Sequence, residues 1–430
     1  MNLEDAAKYA TDLLLTLPKK TKIRIIGHVD ADGIASASII AIALMRAGYR
    51  FHLSIKKTEP NLIDGLLGEE NDLIIFVDIG SSYLEEMKKL RSNVIVLEHH
   101  LSNEEIPSNV MYVNPRLYGL DGSREACGAS VAYAFALAID EENVDLSQLA
   151  IAGIIGDRQN FVGYNKKIVE DGIGAGYVEE REEYIFVGRN LKDILENSIE
   201  PYFTGMYKKS VSFLEELKLM PQKKFEELEE NERKKFLSAL TLKLIEQGVK
   251  DIEWKKKFYF GKYYGNLEDI TSKLNACARL NEAGVGVSLC LGDKKALEKA
   301  TIIQEKYRDE IRKELRELEK KEPYKKRNFI YFYTDKAPLG GVLAGLALAY
   351  IPQFNKGKPI LSLAYNEYID ISARASQEMV KNGVNLGKAL KEAAESVGGI
   401  GGGHPIAAGA KIKKEKEEEF LEKLDEALEK

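Results

Sequence analysis

The stretch Ile23-Arg24-Ile25-Ile26-Gly27-His28-Val29-Asp30-Ala31-Asp32-Gly33 passes from an apolar run straight into a histidine and two aspartates. Residues 23–28 predict a buried strand because isoleucine dominates them, and the residues at 37–47 predict a helix after the turn. A strand, an acidic turn and a helix in this order are typical of one unit of an α/β sheet. The acids at the strand end repel one another unless a cation compensates their charge.

The same alternation continues along the first part of the chain. Strands alternating with helices favour a parallel sheet with helices on both faces, which places its ligand sites at the carboxyl ends of the strands. The predicted fold class is therefore α/β. The further elements predicted here are helices at 3–17, 60–67, 82–91 and 128–139 and strands at 51–55, 73–77 and 93–97.

Residues able to ligate a metal follow several of these apolar runs. Asp78 and the triplet Glu98-His99-His100 each come directly after a predicted strand, and Asp157 ends the apolar, strand-like run 151–156. Carboxylate and imidazole groups in this number suit two divalent cations better than one, and paired cations point to phosphoester hydrolysis. The predicted metal ligands are His28, Asp30, Asp32, Asp78, His99 and Asp157.

Each motif taken alone also has a simpler interpretation. Asp30 or Asp32 could merely cap a helix, because aspartate is common at such positions. His99 and His100 could be two surface histidines at a strand end. The combination favours the metal site, because the motifs occupy equivalent positions of the predicted fold.

The composition limits the possible classes of function. The chain has 430 residues, of which 44% are hydrophobic and 30% charged, enough for two or three domains with full cores. A net charge of −6 excludes a globally basic nucleic-acid coat, so a polyanion must be met by metals and a local basic groove. No apolar run approaches membrane-spanning length, and Cys127, Cys277 and Cys290 are too few for a disulfide framework. These features predict a cytoplasmic protein with no membrane partner, and its abundant Lys and Glu resemble thermophile composition.

The pattern changes beyond the acidic motifs. Residues 1–293 are predicted to form one domain, within which about 165–270 are less regular. A long charged helix at 294–323 is predicted to link it to a smaller α/β domain at 324–430. In that second domain, the glycine-rich segment 398–403 is predicted to be a packed loop whose N–H groups receive a phosphate or a terminal nucleotide.

The segment Trp254–Tyr264 mixes aromatic and basic residues. Such a mixture suits base stacking combined with neutralisation of a nucleic-acid backbone. It equally describes an ordinary pair of strands whose aromatic side chains lie in the core, and this second interpretation is favoured.

Taken together, these motifs resemble those of the DHH phosphoesterase superfamily, and the resemblance is closest to the archaeal RecJ-like exonucleases. One departure is visible, because the motif that gives the family its name begins with Asp and this chain has Glu98. The resemblance does not extend to the bacterial nuclease's extra C-terminal nucleic-acid-binding domains, which are not expected among these 430 residues. The segments that carry the resemblance are His28-x-Asp30-x-Asp32, Asp78, Glu98-His99-His100, Cys127-Gly128-Ala129-Ser130, Gly156-Asp157, Asn275-Ala276-Cys277-Ala278-Arg279, Ser372-Ala373-Arg374 and Gly401-Gly402-Gly403-His404.

The resemblance implies a role for each of these residues. It implies one metal near His28, Asp30 and Asp78, and a second near Asp32, Asp78, His99 and Asp157, so that Asp78 bridges the two ions. His100 would face the scissile phosphate and act in catalysis with Asp78, while Glu98 would support the ligands without binding metal. The residues expected to bind substrate are Asn114, Arg279, Ser372, Arg374, Gly401, Gly402, Gly403 and His404.

The expected activity is metal-dependent exonucleolytic cleavage of single-stranded DNA, with RNA as a second candidate substrate and release of nucleoside monophosphates. The 5′→3′ direction is implied by the resemblance alone, and Mn²⁺ is the expected cofactor, with Mg²⁺ as a second choice. Two alternatives stay open. One is a phosphodiesterase for short oligonucleotides or dinucleotides. The other is a scaffold with little activity that binds replisome proteins such as GINS.

Overall fold

A computed structural model describes residues 2–102, 104–355 and 357–429. The strands are β1 (Ile23–His28), β2 (Phe51–Lys56), β3 (Leu73–Val77), β4 (Asn93–Leu97), β5 (Val110–Val113), β6 (Val178–Tyr184), β7 (Lys255–Gly261), β8 (Gly265–Asn266), β9 (Tyr324–Lys325), β10 (Ile330–Tyr333), β11 (Ile360–Tyr365), β12 (Ile369–Arg374), β13 (Ile400–Gly403) and β14 (Ala407–Ile412). The helices are α1 (Leu3–Thr16), α2 (Ala31–Arg46), α3 (Leu84–Met87), α4 (Gly128–Ile139), α5 (Ser147–Gly156), α6 (Gly163–Gly174), α7 (Leu191–Asn197), α8 (Ser210–Glu216), α9 (Glu230–Glu246), α10 (Leu267–Arg279), α11 (Ala283–Cys290), α12 (Lys294–Leu318), α13 (Gly340–Tyr350), α14 (Gln377–Lys381), α15 (Leu386–Ser396) and α16 (Glu417–Ala427).

The described chain divides into two compact units. Unit 1 comprises Met1–Glu183 and Lys257–Tyr307, and unit 2 comprises Tyr184–Lys256 and Arg308–Lys430. Much of the less regular segment therefore groups with the C-terminal residues. This division differs from the boundaries predicted at residues 293 and 323, because α12 belongs to unit 1 in its first half and to unit 2 in its second.

Unit 1 is built on a five-stranded parallel sheet in the order β2-β1-β3-β4-β5. Helices α1, α2, α4 and α5 pack over one face in a large apolar core. The other face carries a smaller core with residues such as Phe76, Leu84 and Met87. The side chains of β3 are buried throughout, as a central strand of a parallel sheet requires. The predicted α/β class and covered parallel sheet are confirmed.

Three element predictions in unit 1 are wrong. The helix predicted at 60–67 is only a short 3-10 turn at Asp64–Leu66, with turns on either side. The helix after the first motif begins at Ala31 rather than at 37, so Asp32 lies inside the first helical turn. The apolar run 151–156 is the end of helix α5 and not a strand. Small residues such as Ala152 and Gly153 let α5 pack closely against α2 and α4, and a fully buried helix shows no apolar period that would distinguish it from a strand.

The aromatic and basic segment 254–264 forms strands, as the favoured interpretation predicted. Strand β7 lies between β6 and β8 in a three-stranded sheet. Tyr259 is buried in the core of unit 1, where its ring lies 4.6 Å from that of Phe161. Trp254 packs in the apolar cluster of unit 2 and donates a hydrogen bond from Nε1 to Thr241 Oγ1 (2.9 Å). These two aromatic side chains therefore serve packing.

Unit 2 contains a mixed six-stranded sheet in the order β13-β14-β12-β11-β10-β9. Only β10 and β11 pair in parallel, and the other neighbours are antiparallel. The glycine-rich segment predicted as a loop contributes strand β13 at the edge of this sheet. At Gly401 the packing leaves no room for a side chain, since a Cβ there would lie 2.5 Å from the Leu390 carbonyl oxygen. Among the described residues, no helix combines the length and apolar character needed to cross a bilayer.

Candidate metal centre

The acidic motifs meet at one edge of the parallel sheet. His28 ends β1, Asp78 follows β3, and His99 with His100 follows β4. Strands β1, β3 and β4 are neighbours, so their carboxyl ends bring these side chains together. Asp157 reaches the same place from the C-terminal end of α5.

Asp78 stands between two groups of possible ligands. Its Oδ2 lies 3.5 Å from His28 Nδ1, and His28 Nδ1 lies 2.9 Å from Asp30 Oδ2. Its Oδ1 lies 3.1 Å from His99 Nε2. His28, Asp30 and Asp78 thus form one cluster with converging ligand atoms.

The second cluster contains Asp32, His99 and Asp157. His99 Nε2 lies 3.9 Å from Asp32 Oδ2, and His99 Nδ1 lies 3.9 Å from Asp157 Oδ2. Asp78 adjoins this cluster through its contact with His99 Nε2. The structure therefore brings together all six predicted ligands, with Asp78 in the middle.

The N-terminus of helix α4 binds the side chain of Asp32. The backbone N–H groups of Gly128 and Ala129 each donate a 2.8 Å hydrogen bond to the Asp32 carboxylate, and the Cys127 thiol donates a third (3.2 Å). A helix N-terminus favours a negative charge, so these three donors offset part of the cost of burying the Asp32 carboxylate.

The backbone of Asp78 adopts an unusual conformation. Its φ is +59°, in the left-handed region that aspartate tolerates better than most residues. Its N–H donates to the Leu97 carbonyl oxygen (2.9 Å), which ties the bend after β3 to the end of β4. The conformation turns the Asp78 side chain back toward both clusters.

The clusters carry more negative charge than their own histidines can balance. Burial raises the pKa of Asp32 well above its usual value, and the carboxylates of Asp78 and Asp157 raise it further. Burial also raises the pKa of Asp157, to about 6. For His99, burial lowers the pKa, but its hydrogen bond to Asp78 and the nearby acids outweigh burial and raise it overall. A bound cation would relieve this imbalance.

The donor atoms fit divalent cations. Carboxylate oxygens and imidazole nitrogens are the ligands of Mn²⁺-class metals. His28 Nδ1 is buried and makes no hydrogen bond, although Asp30 Oδ2 lies 2.9 Å away. These two atoms lie close enough together that both could ligate one cation. His99 Nδ1 lies 2.6 Å from the Gly122 carbonyl oxygen and donates to it, which leaves Nε2 as a possible ligand.

Glu98 occupies the position at which the family motif has Asp. One carboxylate oxygen accepts from the N–H of Ser81 (3.2 Å). The other accepts from the N–H groups of His99 (2.8 Å) and His100 (3.0 Å) and from His100 Nδ1 (2.9 Å). Burial raises the pKa of Glu98, but His100 and these donors outweigh burial and lower it overall. The longer side chain of glutamate thus folds back over its own loop and holds the two histidines.

His100 is more exposed than its neighbour. Its side chain is 36% accessible, against 3% for His99, and the two rings lie 4.1 Å apart. Burial lowers the pKa of His100, but Glu98 outweighs burial and raises it overall, which favours a protonated imidazole.

The substrate residues predicted in unit 1 have different surroundings. Arg279 is exposed at the end of α10, close enough to influence Asp30. Burial raises the pKa of Asp30, but His28 and, to a lesser degree, Arg279 bring it well below its usual value. Asn114 is buried, and its side chain forms hydrogen bonds within the protein. It donates to the His100 carbonyl oxygen (2.8 Å) and accepts from the N–H of Arg116 (3.0 Å). Its contacts indicate support of the histidine loop.

Three of the substrate residues predicted in unit 2, Ser372, Arg374 and Gly402, lie on one face of its sheet. Ser372 pairs with Gly409, which pairs in turn with Gly402 on β13. Arg374 pairs with Ala407, whose N–H donates to the carbonyl oxygen of His404 (3.2 Å). Residues two apart on a strand point to the same face, so the two rows are adjacent. Gly401 and Gly403 belong to the same edge strand.

Three contributors to the metal centre were not found from the sequence. The Gly122 carbonyl oxygen accepts from His99, Arg116 Nε donates to the His99 carbonyl oxygen (2.8 Å), and Gln159 Nε2 donates to Asp157 Oδ2 (2.8 Å). None belongs to a strand-end motif, so a single sequence holds no signal for them beyond the position of Gln159 two residues after Asp157.

The sequence matches known families at both ends. Residues 22–155 match the N-terminal domain of the DHH family, and residues 328–430 match the DHHA1 domain. An uncharacterized protein of Methanocaldococcus jannaschii is 32% identical over 428 residues, covering 94% of this chain and 93% of that protein. The chain belongs to the DHH phosphoesterase family. The predicted family is confirmed, and this DHH protein carries the His and Asp cluster of a divalent-metal hydrolase at its sheet edge.

A second relative is known by its activity. The single-stranded-DNA-specific exonuclease RecJ of Escherichia coli is 28% identical over 152 residues, which cover 30% of this DHH protein and only 26% of RecJ. The chain thus matches about a quarter of the length of that nuclease. The shared part lies in one segment, so activity and substrate do not transfer with it.

Two solved structures share the fold. RecJ of Thermus thermophilus in complex with Mn²⁺ superposes with a TM-score of 0.63 at 19% identity, covering 99% of this chain and 54% of RecJ. CDC45 of Entamoeba histolytica superposes with a TM-score of 0.69 at 12% identity, covering 100% of both chains. At such low identity, the likeness concerns the fold alone.

Proposed function

We propose that this DHH protein is a metal-dependent exonuclease of the RecJ type that hydrolyses single-stranded DNA, and RNA as a second substrate, to nucleoside monophosphates. One observation carries the proposal: the two oxygens of Asp78 face two separate ligand clusters. A carboxylate shared in this way is suited to a pair of cations that act on one phosphodiester. The manganese-bound RecJ of similar fold and the RecJ relative in sequence support the nucleic-acid substrate and Mn²⁺ as the preferred ion.

Each part of the chain has a distinct task in this proposal. His28, Asp30 and Asp78 would hold one ion, and Asp32, Asp78, His99 and Asp157 would hold the other. When bound, the ions supply an activated water and compensate the charge of the phosphate.

The protein's own groups bind and orient the substrate. His100 is partly exposed and favoured in its protonated form by Glu98, so it donates a hydrogen bond to the scissile phosphate. Arg279, exposed beside Asp30, attracts the adjoining backbone. Ser372, Arg374, His404 and the N–H groups of 401–403 bind the nucleotide end.

Digestion of end-labelled substrates tests the proposal. Single strands of DNA and RNA, a dinucleotide and a blunt duplex are incubated with Mn²⁺, Mg²⁺, Ca²⁺ or excess chelator. We expect mononucleotides from single strands with Mn²⁺, no turnover in chelator, and stalling at duplex junctions. Release of the 5′ label first would support the 5′→3′ direction.

The same experiment separates the alternatives. Cleavage of the dinucleotide alone would favour a short-substrate phosphodiesterase. Absence of hydrolysis with every metal would contradict the nuclease and favour a scaffold, for which binding to GINS or other replisome proteins is the partner test. Hydrolysis that survives thorough metal removal would contradict the metal centre itself.

Arg374→Ala separates substrate binding from metal binding. We expect KM for a single strand to rise about 10- to 100-fold, because a charge-assisted bond to phosphate contributes roughly 1.5–3 kcal/mol. Calorimetric affinity for Mn²⁺ should stay unchanged, because Arg374 is not among the ligands. His404→Ala should behave alike, and Arg327→Ala, an exposed arginine of the same unit, is the matched control. Loss of a metal site in either test variant would contradict the assignment.

A further inference from the structure

We propose that Gln159 is a positioning residue of the metal centre, acting through a buried chain of hydrogen bonds that joins the ligands Asp157, His99 and Asp32. This inference rests on the proposed cation pair. It concerns side chains that do not themselves reach the ions.

Gln159 contacts the ligand Asp157 directly and is linked to the ligand His99 through the Gly122 carbonyl oxygen. Its Nε2 donates to Asp157 Oδ2 (2.8 Å) and to the Gly122 carbonyl oxygen (2.8 Å), the oxygen that also accepts from His99 Nδ1 (2.6 Å). An amide group has two N–H bonds, so both are used. The first bond fixes Asp157 Oδ2, the oxygen that lies 3.9 Å from His99 Nδ1. The second ties the same amide to the carbonyl that sets the tautomer of His99.

The orientation of this amide is fixed by Asn165. Asn165 Nδ2 lies near the carbonyl oxygens of Asn160 (3.0 Å) and Arg124 (3.3 Å), which identifies it as the donor end. It also donates to Gln159 Oε1 (2.9 Å). Gln159 must therefore present its nitrogen to Asp157, since the reverse orientation would set two nitrogens against each other.

The series of hydrogen bonds continues from Asn165 to Asp32, on the opposite side of the metal centre. Asn165 Oδ1 accepts from the Ser130 hydroxyl (2.6 Å), Ser130 Oγ accepts from the N–H of Cys127 (3.2 Å), and the Cys127 thiol donates to Asp32 Oδ1 (3.2 Å). Gln159 is 7% exposed, and Asn165, Ser130 and Cys127 are fully buried. Buried polar side chains whose partners are all satisfied hold a single geometry. The geometry held here is the separation of Asp32 from Asp157.

Gln159→Met tests the inference, because methionine keeps the length and removes both donors. In Mn²⁺ calorimetry, we expect one of two binding events to weaken about 10- to 100-fold, as for other residues that orient metal ligands. The other event, at His28 and Asp30, should stay within about twofold. The spin-resonance spectrum of bound Mn²⁺ should change in the same variant.

Gln148→Met is the matched control. Gln148 is also a fully buried glutamine of unit 1. Like Gln159, its side-chain amide both donates and accepts hydrogen bonds: it donates to the Asp145 carbonyl oxygen (2.9 Å) and accepts from the N–H of Tyr263 (2.9 Å). Both variants should unfold at a lower temperature without metal. Only Gln159→Met should lose Mn²⁺ affinity, whereas a merely structural role would affect the two alike.

Cys127, at the Asp32 end of this series of hydrogen bonds, gives a second test. Cys127→Ala removes the donor to Asp32 and should weaken one Mn²⁺ event about tenfold, while Cys127→Ser keeps a donor and should stay within about twofold of wild type. This pair decides the matter if Gln159→Met fails to fold. Wild-type affinity for both Mn²⁺ ions in Gln159→Met, or equal Mn²⁺ affinities in the two Cys127 variants, would overturn this inference but leave the proposed function standing. A wild-type protein that binds no Mn²⁺ would overturn the proposed function as well.

Discussion

Asp78→Asn is expected to lower metal-dependent hydrolysis at least about a thousandfold, because it weakens both cation sites in one substitution. The two carboxylate oxygens face the His28 and His99 clusters, and an amide offers one neutral oxygen and a nitrogen that cannot ligate. Asparagine also tolerates the left-handed backbone at this position, so the fold should persist. Calorimetry should show two weakened Mn²⁺ events, and single-strand digestion should show the loss of turnover.

The control for this variant is Asp64→Asn. The Asp64 side chain is 54% exposed in unit 1 and lies outside the ligand clusters. The Asp64→Asn variant should bind Mn²⁺ and digest single strands as the wild type does. Turnover of Asp78→Asn within tenfold of wild type would show that Asp78 is not shared by two ions.

The sequence predicted the central strands β1, β3 and β4 of unit 1 well because they are buried on both faces. Runs such as 73–77 and 94–97 are continuously apolar, and each ends abruptly at a charged residue. An abrupt end of this kind marks the carboxyl edge of a parallel strand, where ligands collect. For Asp78 and the histidines of the third motif, the position in the sequence therefore sufficed to predict the position in space.

Asp157 was placed correctly for a partly wrong reason. Its preceding run is a helix, yet the last turn of that helix reaches the same edge of the sheet. Hydrophobic periodicity cannot distinguish the two structures when every face is buried. The prediction of a loop at the glycine-rich segment was also wrong for residues 400–403, which form a strand. This strand packs closely against α15, since a Cβ at Gly387 would lie 2.2 Å from the Gly403 carbonyl oxygen. Such packing depends on the tertiary structure and cannot be seen in the local sequence.

The supporting residues could not be predicted because their partners are distant in the chain. Cys127 and Asp32 are separated by 95 residues, and Gln159 and Gly122 by 37. Hydrogen bonds of this range follow from tertiary packing and leave no periodic pattern in the sequence. Ligands follow their strands, whereas the groups that orient them follow only from the assembled fold.

Gly128→Ala should damage the centre almost as much as the loss of a ligand, although it adds only a methyl group. Gly128 begins α4, and its N–H donates to Asp32 Oδ2 (2.8 Å). A Cβ at this position would lie 2.6 Å from Asp78 Cβ and 2.7 Å from Asp78 Oδ1. Either the Asp78 side chain moves from its place between the clusters, or α4 retreats and loses its bonds to Asp32.

We expect turnover of Gly128→Ala to fall about 100-fold or more and Mn²⁺ affinity to weaken, since overpacking by this amount costs roughly 1–3 kcal/mol at a site that cannot yield. Helix propensity acts in the opposite direction, because alanine favours a helix over glycine by roughly 1 kcal/mol.

Gly284→Ala is the matched control for this substitution. It lies within α11, where an added Cβ meets no atom within 4 Å, so it should leave turnover intact and raise the unfolding temperature slightly. If Gly128→Ala matched this control in Mn²⁺ affinity and turnover, the close approach of α4 to Asp78 would have no part in shaping the metal centre.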